Sequence, residues 1–280
     1  MADRPNGEVG FCRASDSVLI AGYMLHPGEE PCISVGKGSG VVFFSLCNMA
    51  CVYCQNYHFS QRPKGRYVNV PGLGDIFLSL QGMGASNINL VTPEPYLWHI
   101  SEALFYAREK GLSVPVIYNS SGYVSLPAIK LVDSLLDVYL IDLKYIDEGL
   151  ARRLSKADNY AESAKAFIRF AVGAKGDAVF DDSGRILKGV IIRHLVLPGM
   201  IEESKRVLKW LSESFQGGIW LSLMSQFEPA HNAEKYGFYR RVSEEEYEEV
   251  VDYALELGLC KGWFQPYGGD NNLLGENLIN

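Results

Sequence analysis

The sequence contains no apolar run long enough to cross a bilayer, for which a helix needs about 20 mostly apolar residues. Its first residues, MADRPNGEVGFCRAS, are polar and lack the apolar stretch of a secretory signal peptide. Internal repeats and low-complexity tracts are also absent. We therefore expect a cytoplasmic protein with no membrane partner.

Positive charge is scarce as well. The 280 residues carry 26 Lys and Arg against 33 Asp and Glu, a formal net charge of −7. This balance disfavours general binding to nucleic acid or to an anionic membrane, because both attract basic surfaces. We expect no nucleic-acid partner, although the balance leaves room for a local basic patch.

Cysteine is too sparse for a disulfide framework, since the chain has 6 cysteines and half of them lie in the segment CNMACVYC. In a reducing compartment, clustered cysteines more often mark a metal or redox site. Cys47, Cys51 and Cys54 follow the spacing C-x-x-x-C-x-x-C, with no fourth cysteine nearby. The pattern predicts a site with three thiolate ligands and one open position.

Short apolar runs alternate with helical patterns along the chain. The runs are nearly continuous, which is typical of strands buried on both faces of a parallel sheet. The predicted strands are Val41–Ser45, Ile88–Val91, Val114–Asn119, Val138–Leu143, Gly189–Leu197 and Ile219–Met224. The predicted helices are Asp75–Met83, Pro95–Lys110, Leu126–Leu136, Ala161–Val172, Glu202–Phe215 and Glu244–Leu257. Ser243 and Glu246 have capping-box spacing, and Ala178–Leu187 has the composition of a hairpin.

This alternation indicates the α/β class with a parallel sheet. Six units are too few for a complete eight-stranded barrel. We therefore predict an open, partial (β/α)6 TIM-like barrel over residues 41–280, with an N-terminal extension, residues 1–40, packed on it.

Polar residues follow the predicted strands where each strand ends. They are CNMACVYCQN, Thr92–Pro95, Asn119–Gly122, Asp142–Lys144, Arg193 with His194, and Ser225–Pro229. Because the C-terminal ends of barrel strands share one face, we expect a single site there. His194 is equally consistent with a core histidine and a site residue. Glu29 and Glu30 are interpreted as a solvated turn, with a place near the barrel mouth as the alternative.

Two kinds of metal site are compatible with the cysteines. A structural zinc ion takes four protein ligands, and here the fourth would be His58 or one of the distant cysteines Cys12, Cys32 and Cys260. A [4Fe–4S] cluster held by three thiolates leaves one iron open for an exogenous ligand. The spacing favours the cluster, with a zinc knuckle of Cys51 and Cys54 as the alternative.

The cysteine spacing after the first strand of a six-unit α/β chain resembles the signature of the radical S-adenosylmethionine (radical SAM) superfamily. The segments GSGVVFFSLCNMACVYCQNY, DLK, RHLVLPG and SLMSQFEP are similar to pyruvate formate-lyase activating enzyme-like proteins, including the AmmeMemoRadiSam group. The resemblance covers nearly the whole chain from about Asn6. It implies a partial barrel of the radical SAM type, one [4Fe–4S] cluster and SAM.

The resemblance also implies roles for individual residues. Cys47, Cys51 and Cys54 would ligate the cluster, and SAM would bind its open iron. The residues implied to lie around SAM or a nearby cation are Tyr53, Thr92, Glu94, Asn119, Ser120, Asp142, Lys144, Arg193 and Gln226. Of these, Tyr53 and Gln226 would lie near the adenine. Lys144 and Arg193 would point toward the SAM carboxylate or ribose.

Gln226 takes the place of a histidine of activating enzymes, and the chain departs from them at two further sites. It has Thr92-Pro93-Glu94 in place of Gly-Gly-Glu, and Pro93 has no N–H to donate. It has Asn119 in place of an Asp that, together with Asp142, would bind a monovalent cation. Both departures weaken the resemblance to pyruvate formate-lyase activation itself.

The implied function is reductive cleavage of SAM to a 5′-deoxyadenosyl radical, which abstracts hydrogen from a substrate. For an activating enzyme, the substrate is a glycine of a glycyl-radical enzyme, and the electron donor is a protein such as flavodoxin or ferredoxin. The alternatives are a radical SAM enzyme acting on a small molecule or peptide, and a non-catalytic protein that binds a cluster or zinc.

Overall fold

A computed structural model describes residues 8–268 of the chain. Its strands are β1 (Val18–His26), β2 (Ser39–Phe44), β3 (Arg66–Val68), β4 (Ile88–Val91), β5 (Val116–Ser120), β6 (Val138–Asp142), β7 (Val179–Phe180), β8 (Ile186–Leu195), β9 (Trp220–Met224) and β10 (Gly262–Phe264). Its helices are α1 (Tyr57–Ser60), α2 (Val70–Met83), α3 (Leu97–Glu109), α4 (Leu126–Lys130), α5 (Glu148–Ser155), α6 (Tyr160–Lys175), α7 (Ile201–Phe215) and α8 (Glu244–Glu256).

The six predicted core strands all form and pair in parallel, which confirms the partial barrel. The strand order in the sheet is β10-β9-β8-β6-β5-β4-β2-β1-β3. A short strand that the sequence did not predict, β10, adds a further parallel partner to β9. The predicted hairpin also forms, because β7 pairs antiparallel with the start of β8.

The chain before residue 41 adds to the same sheet. Strand β1 pairs antiparallel with β2 from Ile20 to His26, and β3 pairs with the start of β1. The predicted division of the chain at residue 40 stays a prediction. Residues 1–7 and 269–280, which it assigned to the extension and the core, lie outside the described residues.

Most predicted helices form, with boundaries shifted by a few residues. The capping box of Ser243 and Glu246 is present at the start of α8. The predicted helix Leu126–Leu136 is wrong in its second half, since α4 ends at Lys130 and a 3-10 turn follows. In that turn, Asp133 accepts from the Tyr139 hydroxyl at 2.7 Å, so tertiary contacts override the helical pattern.

The N-terminal segment fills the base of the barrel. Buried Cys32 and Ile33 pack with inward-facing residues near the strand starts, namely Ile117, Val138, Leu140, Ile186 and Ile191. Cys32 itself lies in a turn, with its thiol buried in this core. Because side chains alternate between the two faces of a strand, the next inward positions above Leu140 and Ile191 are Asp142 and Arg193. Within residues 8–268, no helix has both the length and the apolar character to cross a bilayer.

Candidate functional site

One cavity, of about 490 Å³, lies at the C-terminal ends of the parallel strands. Its volume is within the range of small-ligand sites. It is lined by all of the predicted site residues except Glu94: Cys47, Cys51, Tyr53, Cys54, Thr92, Asn119, Ser120, Asp142, Lys144, Arg193 and Gln226. The prediction that the C-terminal ends of these strands surround a single site is therefore confirmed. The role of each residue stays a prediction.

The cysteine loop begins where β2 ends and is tied down by backbone hydrogen bonds. The Ala50 and Val52 N–H groups donate to the carbonyls of Ser155 and Leu154, at 2.9 and 2.8 Å. The Gln61 side chain donates to the Cys51 carbonyl at 2.9 Å. The loop therefore rests on the C-terminal end of α5, whose last four carbonyls have no partner within the helix.

Each of the three sulfurs has a hydrogen-bond partner. The Met49 N–H donates to Cys47 Sγ at 3.3 Å, Ser155 Oγ lies 3.1 Å from Cys51 Sγ, and Ser60 Oγ lies 3.2 Å from Cys54 Sγ. Ser155 and Ser60 were not among the predicted site residues.

Helix α5, which carries Ser155, was itself not predicted, although Asp147 caps its first turn by accepting from the Leu150 N–H at 2.8 Å.

The cavity keeps these thiols protonated when no metal is bound. Burial raises the pKa of Cys47, and the nearby Glu94 charge adds to this effect. Burial likewise raises the pKa of Cys51, and that of Cys54 to about 11. A metal that binds here must therefore displace protons from the ligating sulfurs.

The donor set fits an iron–sulfur cluster better than zinc. A zinc ion needs four side chains around one point. Among the described residues, no group of three or more His, Cys, Asp or Glu side chains is arranged to hold a single metal ion. A four-iron cluster distributes its thiolates over different irons, so three cysteines that line one cavity suit it.

Thr92 lines the cavity in a strained backbone conformation. Its φ is +57°, in the left-handed region that β-branched residues rarely adopt. It is also the only threonine in the sequence. Its N–H donates to the Asn119 carbonyl at 3.0 Å, which fixes the end of β4 against the end of β5. Strained non-glycine residues of this kind cluster at ligand sites.

Glu94 lies behind the cavity wall rather than on it. Its Oε1 accepts from the Ser120 hydroxyl at 2.5 Å, and Ser120 in turn lines the cavity. Its Oε2 is buried and has no hydrogen-bond partner among residues 8–268. Burial raises the pKa of Glu94 to about 7, against the opposing effect of the Ser120 hydrogen bond. A carboxylate in this state gains from any cation that binds nearby.

Asp142 and Lys144 form an ion pair at the end of β6, with Nζ and Oδ2 2.5 Å apart. Burial alone would lower the pKa of Lys144, but the Asp142 carboxylate outweighs it and raises that pKa. Gly122 makes the close approach of the neighbouring loop feasible, because a Cβ there would lie 2.5 Å from the Asp142 carbonyl oxygen.

Arg193 is held by two carboxylates that the sequence placed near the barrel mouth only as an alternative. Glu29 and Glu30 both pair with its guanidinium, and Glu30 Oε2 lies 2.6 Å from Nη2. Both acids line the cavity and Glu30 is buried, so their interpretation as a solvated turn is wrong and the alternative, a place near the barrel mouth, is correct. Burial opposes the charge of Glu30, but Arg193 lowers its pKa. Two acids against one base leave this wall with net negative charge.

The aromatic side of the cavity includes Tyr53, whose ring packs edge-on against Phe227 at 5.7 Å between centroids. Its hydroxyl hydrogen-bonds that of Tyr145. Gln226 accepts from the Gln265 side chain at 3.2 Å. Trp263 and Gln265 line the cavity from β10 and the loop after it. Neither residue was predicted as part of the site, because β10 is only three residues long and leaves no clear pattern.

His194 belongs to the core and not to the cavity. Its Nδ1 lies 2.7 Å from the Leu143 carbonyl oxygen and its Nε2 2.9 Å from Ser204 Oγ. Both ring nitrogens are therefore partnered, and burial lowers its pKa. Of the two interpretations that the sequence allowed, the structure supports the core histidine.

The sequence is similar to that of known proteins. The sequence matches the radical SAM superfamily over residues 41–211. An uncharacterised protein from Methanocaldococcus jannaschii is 29% identical over 263 residues, 90% of this chain and 71% of that protein. A second protein of that organism, provisionally named a glycyl-radical enzyme activating enzyme, is 31% identical over 111 residues, 39% of this chain and 44% of that protein.

The fold has solved counterparts. The structure of the [FeFe]-hydrogenase maturase HydG from Carboxydothermus hydrogenoformans superposes with a TM-score of 0.54 at 15% identity. The superposition covers 76% of this chain and 49% of the maturase, so this chain spans about half of that protein. At this identity, the likeness shows the fold alone. Because the family match spans more than half of the chain and includes all three clustered cysteines, the chain belongs to the radical SAM superfamily, whose cofactors are a [4Fe–4S] cluster and S-adenosylmethionine.

Proposed function

We propose that this chain is a radical SAM enzyme that generates a substrate radical by hydrogen abstraction. The observation that carries the proposal is that the three clustered cysteines and all but one of the predicted SAM-contacting residues, Glu94 being the exception, line one cavity at the C-terminal strand ends. When bound, the cluster and SAM supply one-electron cleavage of the sulfonium and a 5′-deoxyadenosyl radical. The protein supplies binding, orientation and exclusion of water.

The chain's own residues divide this work by position. Cys47, Cys51 and Cys54 would hold the cluster against the loop that rests on α5. Lys144 would offer its charge to the SAM carboxylate, because among the described residues its half-buried ammonium pairs with a single carboxylate, that of Asp142. Glu94, one of whose oxygens has no hydrogen-bond partner in the described part of the chain, would attract the SAM ammonium from behind Ser120.

Arg193 suits a SAM carboxylate less well than Lys144 does. Its guanidinium already pairs with Glu29 and Glu30, and the three side chains together carry one negative charge. Such a wall favours a hydroxyl or a cationic group over an anion. We therefore assign Arg193 to the ribose side of the site or to the substrate.

A glycine of a partner glycyl-radical enzyme is the first candidate substrate, supported by the partial similarity to a provisionally named activating enzyme. An electron donor such as flavodoxin or ferredoxin completes this proposal. A small molecule or a peptide is the second candidate, favoured by the departures at Thr92, Pro93 and Asn119 from the activating-enzyme pattern.

The test is anaerobic reconstitution followed by incubation with SAM and dithionite. We expect about four irons per chain and formation of 5′-deoxyadenosine. Protein that binds SAM but releases no 5′-deoxyadenosine would support a non-catalytic role, and protein that binds zinc but no iron would support the zinc alternative. A glycyl-radical EPR doublet in a co-incubated partner enzyme would separate the first candidate substrate from the second.

A further inference from the structure

We propose that Ser155 is a positioning residue that donates a hydrogen bond to Cys51 Sγ and thereby raises the reduction potential of the bound cluster. The inference rests on the proposed function, because it takes Cys51 as a cluster ligand. Its direct support is the 3.1 Å separation of Ser155 Oγ and Cys51 Sγ. Ser155 is completely buried, so water does not compete for its hydroxyl.

Ser155 is the last member of a row of three buried hydroxyls. The Tyr53 hydroxyl contacts that of Tyr145, and the Tyr145 hydroxyl lies 3.1 Å from Ser155 Oγ. Tyr145 has no exposed surface, and Tyr53 is 8% exposed. Buried hydroxyls are costly to leave unpaired, so this row is a connected hydrogen-bonding unit that ends at the sulfur.

The chemistry of the groups fixes the direction of the row. A thiolate only accepts hydrogen bonds, and each hydroxyl has a single proton to donate. Cys51 is a thiolate when it ligates a metal, so Ser155 donates to it. The Ser155 oxygen then accepts from Tyr145, and the Tyr145 oxygen accepts from Tyr53. Each donor polarises the next one, which strengthens the final bond to the sulfur.

The sign of the effect follows from charge. Hydrogen bonds to the sulfurs are among the factors that set the reduction potential of an iron–sulfur cluster. The reduced cluster carries one more electron than the oxidised one, so a donor at a sulfur stabilises the reduced form more. Ser155 would therefore raise the potential and allow a weaker reductant to supply the electron.

The other two cysteines provide an internal comparison. Cys54 Sγ has the hydroxyl of Ser60 at 3.2 Å, whereas the donor that the described residues offer to Cys47 Sγ is a backbone group, the Met49 N–H at 3.3 Å. The Met49 donor is unaffected by a change of side chain. Removal of the Ser155 hydroxyl therefore disconnects the whole row of hydroxyls from the sulfur of Cys51. Removal of the Ser60 hydroxyl would take away one donor only.

The test is a redox titration of anaerobically reconstituted protein, followed by EPR, in wild type and the variants Ser155→Ala, Tyr145→Phe and Ser39→Ala. Ser39 is the matched control, because it is fully buried and hydrogen-bonded to Asn87 at the opposite end of β2. In Ser155→Ala we expect the ratio of reduced to oxidised cluster at a fixed potential to fall about tenfold, equivalent to about 59 mV.

Tyr145→Phe keeps the Ser155–Cys51 contact and removes only the donor behind it, so we expect a smaller shift in the same direction. Ser39→Ala should titrate as wild type. Ser155→Ala with wild-type iron content and a wild-type potential would overturn the inference. If Ser155→Ala does not retain its cluster, the potential of Tyr145→Phe is the test. A potential equal to that of wild type in Tyr145→Phe would then overturn the inference. Wild-type protein that binds no iron would instead refute the proposed function.

Discussion

The Nε atom of Arg193 donates to Glu30 Oε1 at 2.6 Å, which joins strand β8 to a segment 163 residues earlier in the chain. Both side chains are largely shielded from water, with exposures of 14% and 5%. This contact closes one wall of the cavity. It also fixes the N-terminal segment, including Cys32 and Ile33, inside the barrel.

Removal of Arg193 should therefore destabilise the fold strongly. Arg193→Met leaves the carboxylates of Glu29 and Glu30 buried without a counter-charge, and we expect a loss of about 3–5 kcal/mol in the free energy of unfolding. Urea denaturation followed by tryptophan fluorescence measures this loss. Arg152→Met is the matched control, because Arg152 is 64% exposed and its pairing with Asp158 is at 3.9 Å. Equal stabilities of the two variants would contradict a structural role for the buried pair.

The contrast between Arg193 and the cysteines shows which parts of the site were predictable. The cysteine loop was predictable because three ligands lie within eight residues, where spacing alone constrains the geometry. Asp142 and Lys144 were predictable because parallel strands bring their C-terminal ends together. Glu29 and Glu30 were predicted near the mouth only as an alternative, because their place in the cavity depends on a partner distant in sequence. The same holds for Ser155, which contacts Cys51 from across 104 residues.

The fold likewise has parts that were predictable from the sequence and parts that were not. Continuous apolar runs identified the six core strands, since burial on both faces leaves a strong signal. Strand β10 has only three residues, all half-buried, so its pattern is too short to detect. Strand β1 has nine residues, yet it was not predicted. It pairs antiparallel with β2 and is therefore not part of the strand–helix alternation from which the other strands were predicted.

The backbone of Thr92 leads to a prediction that reverses a usual order of stability. At most positions, alanine is more stabilising than glycine by about 0.4–1 kcal/mol, because glycine gains entropy in the unfolded chain. At a φ of +57°, any Cβ costs about 1–2 kcal/mol. We expect Thr92→Gly to unfold at a higher urea concentration than Thr92→Ala. An alanine variant as stable as the glycine variant would show that the left-handed conformation carries no strain.

Cluster loading should depend on each clustered cysteine and not on the others. Cys51→Ala should lose most of the iron and sulfide that wild type binds on reconstitution, because one corner of the cluster would lack its thiolate. Cys260→Ala is the matched control, since Cys260 is exposed and does not line the cavity. Iron analysis and EPR measure the outcome, and an intact four-iron signal in Cys51→Ala would refute the ligand assignment.

The buried carboxyl of Glu94 should make the stability of the metal-free protein depend on pH. Burial raises the pKa of Glu94 to about 7 from 4.5, so between these two values the folded chain binds more protons than the unfolded chain. Stability must then fall as the pH rises through this window, and above it the full cost is present. At 1.36 kcal/mol per pKa unit, this cost is roughly 3 kcal/mol.

Glu94→Gln removes this ionisation while keeping the shape of the side chain. We expect the variant to match wild type near pH 4.5 and to exceed its free energy of unfolding by roughly 3 kcal/mol at pH 8. Urea denaturation at several pH values measures the difference, and other titrating groups cancel because both proteins share them. Glu102→Gln, at an exposed position of α3, should run parallel to wild type. If the free energy of unfolding of Glu94→Gln also changed with pH as that of wild type does, ionisation of Glu94 would carry no cost in the folded protein. That result would contradict the prediction.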